Sequence, residues 1–281
     1  MSIPDWRLPQ GVSRSVWEFA HDRTIARDED RHLADAPLLD FDREVVSRWF
    51  STPGNLIDPG CGTGRSLAAF ARLGFECVGV DLSPESLAVA AERTANAAPP
   101  VLLLQANLCD LGCLSSGQFD YALLLFGTLG MVCGAENRRH VLEHARRILK
   151  PSGLLALHVH NEWRHLFSPQ GRRWLAHDLV KRIARHPSAG DTEHDYRRIP
   201  RIYHHSFTRA EITRLLHCCR FRTREVVPLA ALDEGRSGAV PLAAGHEVDL
   251  TCRGWFRDLK ATGWLFLAEA SCSRDAAVPR R

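Results

Sequence analysis

Two acids and three glycines carry the first chemistry in this chain. Asp58 closes a short apolar run in 56-LIDPGCGTGRSL-67, and Gly60, Gly62 and Gly64 follow at alternate positions. Asp81 closes the next apolar run, in 77-CVGVDLS-83. A strand, a glycine-rich turn and a helix in this order make a nucleotide-binding corner. Glycine accepts positive φ and lets a ligand lie on bare backbone, and the following helix offers unpaired N–H groups. An acid at the end of the second strand can hydrogen-bond a ribose. The third glycine comes one residue early for the dinucleotide pattern G-x-G-x-x-G. Asp58 would repel a pyrophosphate but attract an amino group or a sulfonium. The corner therefore suits a ribose-bearing cation.

A second set of chemical groups lies in 157-LHVHNEW-163. On a strand, His158 and His160 point to one side and Val159 to the other. The end of such a strand is the ligand-facing end of an open α/β sheet. His160 and Glu162 are the candidate catalytic residues, because imidazole and carboxylate serve as general bases. Asn161, His204 and His205 are candidates for substrate contact, the last two by closing over the pocket. Each histidine also has a plainer reading: His158 and His160 as packed side chains, His204 and His205 as a surface pair.

The elements that must position these groups alternate. Asn55–Asp58 reads as a strand and Arg65–Leu73 as a helix stopped by Gly74. Cys77–Val80 is a strand, and Pro84–Asn96 a helix with Ser83 as N-cap and Pro84 as first residue. Val101–Gln105 and Tyr121–Phe126 are strands, Glu136–Leu149 an amphipathic helix and Leu154–His160 a fifth strand. Short strands that are apolar throughout are buried on both faces, as in a parallel sheet. Upstream, a helix is expected around Ser13–Ala26 and another over 40-DFDREVVSRWF-50. Downstream, a helix is expected near Arg172–Arg185, then one in 208-TRAEITRLLHCCRF-221, where Thr208 and Glu211 have capping-box spacing. Val226 and Val227 end a strand, residues 229–250 read as loop, and 264-WLFLAEA-270 is the last strand.

The run 56-LIDPGCGTGR-65 resembles the first motif of class I S-adenosylmethionine-dependent methyltransferases, an acid, any residue, then G-x-G-x-G. The segment 77-CVGVDLSPESLAVA-90 is similar to their second motif. Likewise 119-FDYALLLFGTLGMV-132 resembles the fourth strand and its loop, and 146-RRILKPSGLLALHVHN-161 the helix, turn and strand that follow. The segment 207-FTRAEITRLLHCCRF-221 resembles the helix entering the sixth strand. The resemblance covers residues 40–160 well and 205–271 more loosely. It implies a doubly wound α/β fold with a seven-stranded, mostly parallel sheet in the order 3-2-1-4-5-7-6, strand 7 antiparallel. It divides the chain into an N-terminal helical cap (1–39), a methyltransferase domain (40–271) with a basic substrate-recognition insertion (162–205), and a tail (272–281).

The same resemblance implies S-adenosylmethionine as cofactor and assigns roles. Gly60, Cys61, Gly62 and Gly64 line its methionine and ribose, with Asp58 beside the amino group. Asp81 binds the ribose hydroxyls, Leu82 lies against adenine, and Asn107 and Leu108 hold the adenine edge. Asn107 stands where the family has an acid, and an amide can still hydrogen-bond adenine. Phe126 and Gly127 face the sulfonium. Pro59 and Ser152 depart from the usual residues at their places. The N-P-P-[YF] motif of enzymes that methylate planar exocyclic amines is replaced by 125-LFGTLG-130. Oxygen, carbon and other nitrogen acceptors stay open. The cofactor carries its own leaving group, so a base is needed only where the acceptor must lose a proton.

Composition sets outer bounds. The 281 residues are 45% hydrophobic and 25% charged, enough for one large globular domain and its insertion. No apolar run approaches a membrane span, and the N-terminus lacks a signal-peptide pattern. Nine cysteines without a C-x-x-C pair read as reduced thiols of a cytoplasmic protein, with no metal site. Residues 164–224 hold 14 Lys/Arg against 5 Asp/Glu, interleaved with aromatics. That pattern fits RNA or an anionic substrate, and equally a solvated surface. Four functions follow: a methyltransferase with a small-molecule acceptor, an RNA methyltransferase using the basic block, a non-catalytic cofactor-binding module, and an NAD(P)-dependent oxidoreductase. The glycine spacing disfavours the last.

Overall fold

The computed structural model describes residues 3–32, 44–229 and 261–271. The expected loop over 229–250, apart from Leu229 at the end of a strand, the tail 272–281 and the join between cap and domain at 33–43 lie outside the described residues.

The alternation expected from the sequence is present. Strand β1 (Asn55–Pro59) leads through the glycine turn into α4 (Arg65–Arg72), then β2 (Glu76–Asp81), α5 (Pro84–Thr94) and β3 (Leu102–Gln105). Strand β4 (Phe119–Leu124) is followed by α6 (Ala135–Ile148) and β5 (Leu149–His160). Next come α7 (Pro169–Ile183), a hairpin of β6 (Asp191–Tyr196) and β7 (Ile199–His205), α8 (Arg209–Cys218), β8 (Phe221–Leu229) and β9 (Gly263–Ala270). Ahead of the sheet stand α1 (Arg14–Ala20), α2 (Arg23–His32) and a short helix α3 over 44–49.

Seven strands form one sheet in the order β3-β2-β1-β4-β5-β9-β8. Pairs β1–β2, β2–β3, β1–β4 and β4–β5 are parallel, and β9 runs antiparallel to both β5 and β8. The difference from the expected order 3-2-1-4-5-7-6 is one of numbering: the hairpin β6–β7 forms a separate two-stranded sheet before the last two strands of the large one. Both faces of the large sheet are covered. Leu124, Leu142, Leu157 and Phe266 lie in one core and Leu56, Phe70, Leu123 and Leu265 in the other, all fully buried or nearly so. Neighbouring strand residues alternate between these two cores, which is why the strands are apolar throughout.

Two local results differ from expectation. The single helix expected around Ser13–Ala26 is broken at His21–Asp22. Oδ1 of Asp22 accepts from the backbone N–H of Thr24 and Ile25 at 2.8 and 3.0 Å, which caps a second helix. The hairpin was not legible because β6 reads DTEHDY, polar at nearly every position. Its inward side faces a cavity rather than a core.

Candidate functional site

The carboxyl ends of β1 and β2 build one wall of a cavity of about 410 Å³. The backbone N–H groups of Gly60 and Cys61 donate to the carbonyl of Val80 at 2.7 and 3.1 Å, which locks the turn onto β2. Gly60 has φ +89°, and a Cβ there would stand 2.4 Å from Cγ2 of Thr128. Gly62 has φ +51° with open space beside it, reached only by the Glu29 carboxylate at 3.9 Å. Sterics exclude a side chain at the first position, and backbone conformation disfavours one at the second.

Asp81 holds the turn from the other side. Its Oδ2 accepts from the Gly62 N–H and its Oδ1 from the Ser83 N–H, both at 2.8 Å. Asp58 is 4% exposed and lies in the same wall. Burial, then the Asp81 charge, pushes its carboxyl up to about 8. Burial also raises Asp81, against the backbone N–H groups that favour its anion. Two acids forced together out of water in this way are relieved by a cation. The Cys61 thiol, in the same wall, is pushed well above its usual range by burial and then by Asp58 and Asp81, so it stays protonated. This pair, set in a bare glycine turn, fits a ligand with a ribose and a cationic amino acid group.

Beyond the turn, Leu82, Ser83, Asn107 and Leu108 continue the lining. Nδ2 of Asn107 donates to the carbonyl of Gln10 at 2.9 Å, and its Oδ1 accepts from the Cys109 N–H at 3.1 Å. The Asn107 amide is thus used to fix the N-terminal segment as well as to line the cavity. Phe126 lines it with φ +56°, a conformation that costs a bulky residue energy and collects at functional sites. Gly64 caps α4 with φ +75° and Gly127 follows Phe126 with φ +79°. Both stand behind the lining rather than in it.

The far wall comes from β5, the hairpin and the N-terminal helices. His158 and His160 of β5 line the cavity, as do Arg164, His194, Tyr196, Tyr203 and His204. Nδ1 of His160 is 3.0 Å from Nε2 of His204. Val16, Ile25, Ile199, Ile202 and Tyr203 form a small apolar cluster of their own, joined by Phe19, Met131 and Tyr196. This cluster glues α1 and α2 to the hairpin and roofs the cavity. Ser15 Oγ accepts from the Tyr203 N–H at 3.0 Å, and Arg197 donates to the carbonyl of Ile25 at 2.8 Å.

Of the residues expected from sequence, the structure brings Asp58, Gly60, Cys61, Gly62, Asp81, Leu82, Asn107, Leu108, Phe126, His160 and His204 to one cavity. Besides Gly64 and Gly127, three others do not line it. Asn161 is fully buried; its Nδ2 donates to the carbonyl of Ala261 at 2.7 Å and its Oδ1 accepts from the Trp163 N–H. Glu162 is 3% exposed and paired with Arg182, with burial pushing its carboxyl up to about 7. His205 is 1% exposed between Oδ1 of Asp191 at 2.7 Å and Oε1 of Glu211 at 2.8 Å. Together Arg182, Glu162, Asp178, Glu211, His205 and Asp191 tie α7 and the hairpin to α8. Glu29, Thr128, Arg164, His194, Tyr196 and Tyr203 were not anticipated in the lining. Glu29 lies ahead of the resemblance, and Arg164, His194, Tyr196 and Tyr203 lie where it thins out after His160.

The basic block is partly consumed by the fold. Arg182 is paired with Glu162 and Asp178, Arg201 with Glu193, and Arg197 with backbone. Tyr196 and Tyr203 turn inward. Among the described residues no group of three or more His, Cys, Asp or Glu is placed to hold a metal, and no helix is long and apolar enough to cross a membrane.

Comparison with known proteins agrees with this geometry. Residues 57–157 match the family model described as a methyltransferase domain. A putative methyltransferase of Bacillus subtilis (strain 168) is 31% identical over 111 residues, 40% of this chain and 44% of that protein. The chain thus spans less than half the length of that curated relative. A solved SAM-dependent methyltransferase of Methanosarcina mazei superposes with a TM-score of 0.57 at 20% identity, over 77% of this chain and 92% of that one. The 1,6-didemethyltoxoflavin-N1-methyltransferase of Burkholderia thailandensis, solved with its substrate and S-adenosylhomocysteine, gives 0.53 at 17% identity over 97% and 94%.

Proposed function

We propose, from the premise that residues 57–157 are a methyltransferase domain set in the class I S-adenosylmethionine-dependent fold, that the protein methylates a small molecule inside its roofed cavity. The observation that carries this is the buried acid pair Asp58 and Asp81 framing the glycine turn. A pyrophosphate laid on that turn would face the acid Asp58, and the glycine spacing is not that of a dinucleotide site, so a dinucleotide is the wrong ligand. Bound there, S-adenosylmethionine supplies an electrophilic methyl group on a sulfonium.

The chain's own residues bind, orient and exclude water. Asp81 receives the ribose hydroxyls on carboxylate oxygens already aligned by Gly62 and Ser83. Asp58 accepts from the amino group. Leu82, Asn107 and Leu108 hold the adenine edge. Phe126 and Thr128 shape the passage between the turn and the far wall. The roof of α1, α2 and the hairpin dries the reacting centre and fixes the acceptor in line. The small-molecule reading is favoured by that roof: a cavity walled on this many sides holds a molecule of modest size. The B. thailandensis neighbour, a small-molecule methyltransferase by its title, supports the same reading.

Calorimetric titration with S-adenosylmethionine, S-adenosylhomocysteine, NAD and NADP tests the proposal. The first two bind and the dinucleotides do not. Binding of a dinucleotide, or of none of the four, would remove it.

A further inference from the structure

The cavity is electrically two-ended. Among the described lining residues its carboxylates are Glu29, Asp58 and Asp81, all at the glycine-turn end, where Arg65 faces Glu29 at 3.4 Å. The opposite end is lined by His158, His160, His194, His204 and Arg164. There the His160 and His204 rings share a nitrogen–nitrogen contact of 3.0 Å, with centroids 4.6 Å apart. His158 stands 5.4 Å from His160 and His194 6.3 Å from His204, ring to ring. The charged and titratable groups around the pair are therefore His158 on β5, His194 on β6, His205 on β7 and Arg164 in the turn after β5. Among the described residues that act on the pair, none is a carboxylate. Burial first, then these neighbours, holds both His160 and His204 well below the ordinary imidazole range. Both are neutral at pH 7.

Two neutral imidazoles joined by one hydrogen bond leave a nitrogen to spare. When Nδ1–H of His160 donates to Nε2 of His204, the lone pair on Nε2 of His160 is available to a molecule in the cavity. Such a base has low proton affinity. It matches an acceptor whose O–H is already acidic, not an aliphatic alcohol. Arg164 and the imidazoles favour an oxygen anion and disfavour an ammonium group. Phe19, Phe126, Met131 and Ile202 in the lining ask for an apolar body.

We propose, resting on the methyltransferase reading, that the acceptor is a small, mainly apolar molecule with an acidic hydroxyl, a phenol or an enol, and that Nε2 of His160 takes its proton. In the transfer the hydroxyl proton passes to Nε2, and an oxygen lone pair forms the bond to the methyl carbon. The carbon–sulfur bond breaks with its electron pair left on sulfur. The positive charge of the sulfonium is replaced by that of the imidazolium. His204 is a positioning residue that holds the His160 ring and its tautomer.

The test uses the full chain saturated with S-adenosylhomocysteine, titrated by calorimetry with 4-nitrophenol and with benzylamine. The phenol is expected to bind at least about ten-fold tighter. Tighter binding of the amine, or no binding of the phenol, overturns the proposal without touching cofactor binding. Failure of S-adenosylhomocysteine itself to bind would instead remove the methyltransferase reading, and this proposal with it. Nitrogen-15 spectra of the histidines in the same complex, assigned with His160→Gln and His204→Gln, are expected to place the His160 proton on Nδ1. A proton on Nε2 instead removes the base.

Discussion

The backbone N–H of Gly62 donates to Oδ2 of Asp81 at 2.8 Å, so the acid proposed to bind the ribose also fixes the turn beneath it. Asp81→Ala removes both functions. Hydrogen bonds to a charged group contribute about 1.5–3 kcal/mol, so affinity for S-adenosylhomocysteine should fall about ten- to hundred-fold. Asp81→Asn, which still accepts on one oxygen, should lose less. Calorimetry decides, and an unchanged affinity for the alanine variant would sink the ribose assignment.

Asp58 sets a pH dependence. In the free protein its carboxyl is held up to about 8 by burial and by Asp81. An incoming ammonium group favours the anion, so binding should expel a proton below that pH, and affinity should rise as pH approaches about 8. Buffers of different ionisation enthalpy make the proton visible calorimetrically. Asp58→Asn should abolish it.

The same group acts on stability with a defined sign. Its folded value lies above the unfolded one, so the native state binds more protons between the two. The free protein should therefore lose stability as pH rises from about 4 to about 8, through the Asp58 contribution. Melting temperatures of the parent and Asp58→Asn, measured across that range, should converge at the acid end and separate at the alkaline end.

Gly130 lies under His204. A Cβ there would stand 2.5 Å from Nε2 of His204 and 2.7 Å from the carbonyl oxygen of His205. Overpacking of this kind costs about 1–3 kcal/mol. Gly130→Ala should lower the melting temperature by about 2–12 °C, at about 2–4 °C per kcal/mol for a chain of this size. Affinity for S-adenosylhomocysteine should be kept, because the glycine turn is elsewhere.

His205 is a structural group by its surroundings. Its ring nitrogens are both used, by Asp191 and Glu211, and it does not line the cavity. His205→Leu leaves the half-buried carboxylates of Asp191 and Glu211 facing an apolar side chain. Leaving a hydrogen-bonding group without its partner costs about 1–3 kcal/mol, which denaturant titration should reveal. A variant as stable as the parent would mean that Arg138, 3.8 Å from Asp191, and Arg182, 3.9 Å from Glu211, carry this network without the imidazole.

The glycine-turn wall of the cavity was legible because its residues are local in sequence. The turn 58–64, Asp81 and Asn107 each close a strand of the same sheet, so strand ends alone bring them together. The far wall was legible only in part. His160 sits at a strand end, and its place in the lining was expected. His194, Tyr196 and Tyr203 sit on a hairpin whose polar sequence has no alternation to betray it. Glu162 and Asn161 looked functional because they are polar at a ligand-facing end. Burial and pairing within the protein now account for both, through Arg182 and the carbonyl of Ala261.

The roof is held to itself by contacts between distant parts of the chain: Ser15 with Tyr203, 188 residues apart, and Ile25 with Arg197, 172 apart. Closing loops of that length ahead of the sheet would cost entropy with little to offset it. Once the sheet exists, its edges and helices carry both segments to the same place. The roof is thus expected to order after the sheet and to be released before it. Amide hydrogens on α1, α2 and the hairpin should exchange through openings that leave β1, β4 and β5 intact.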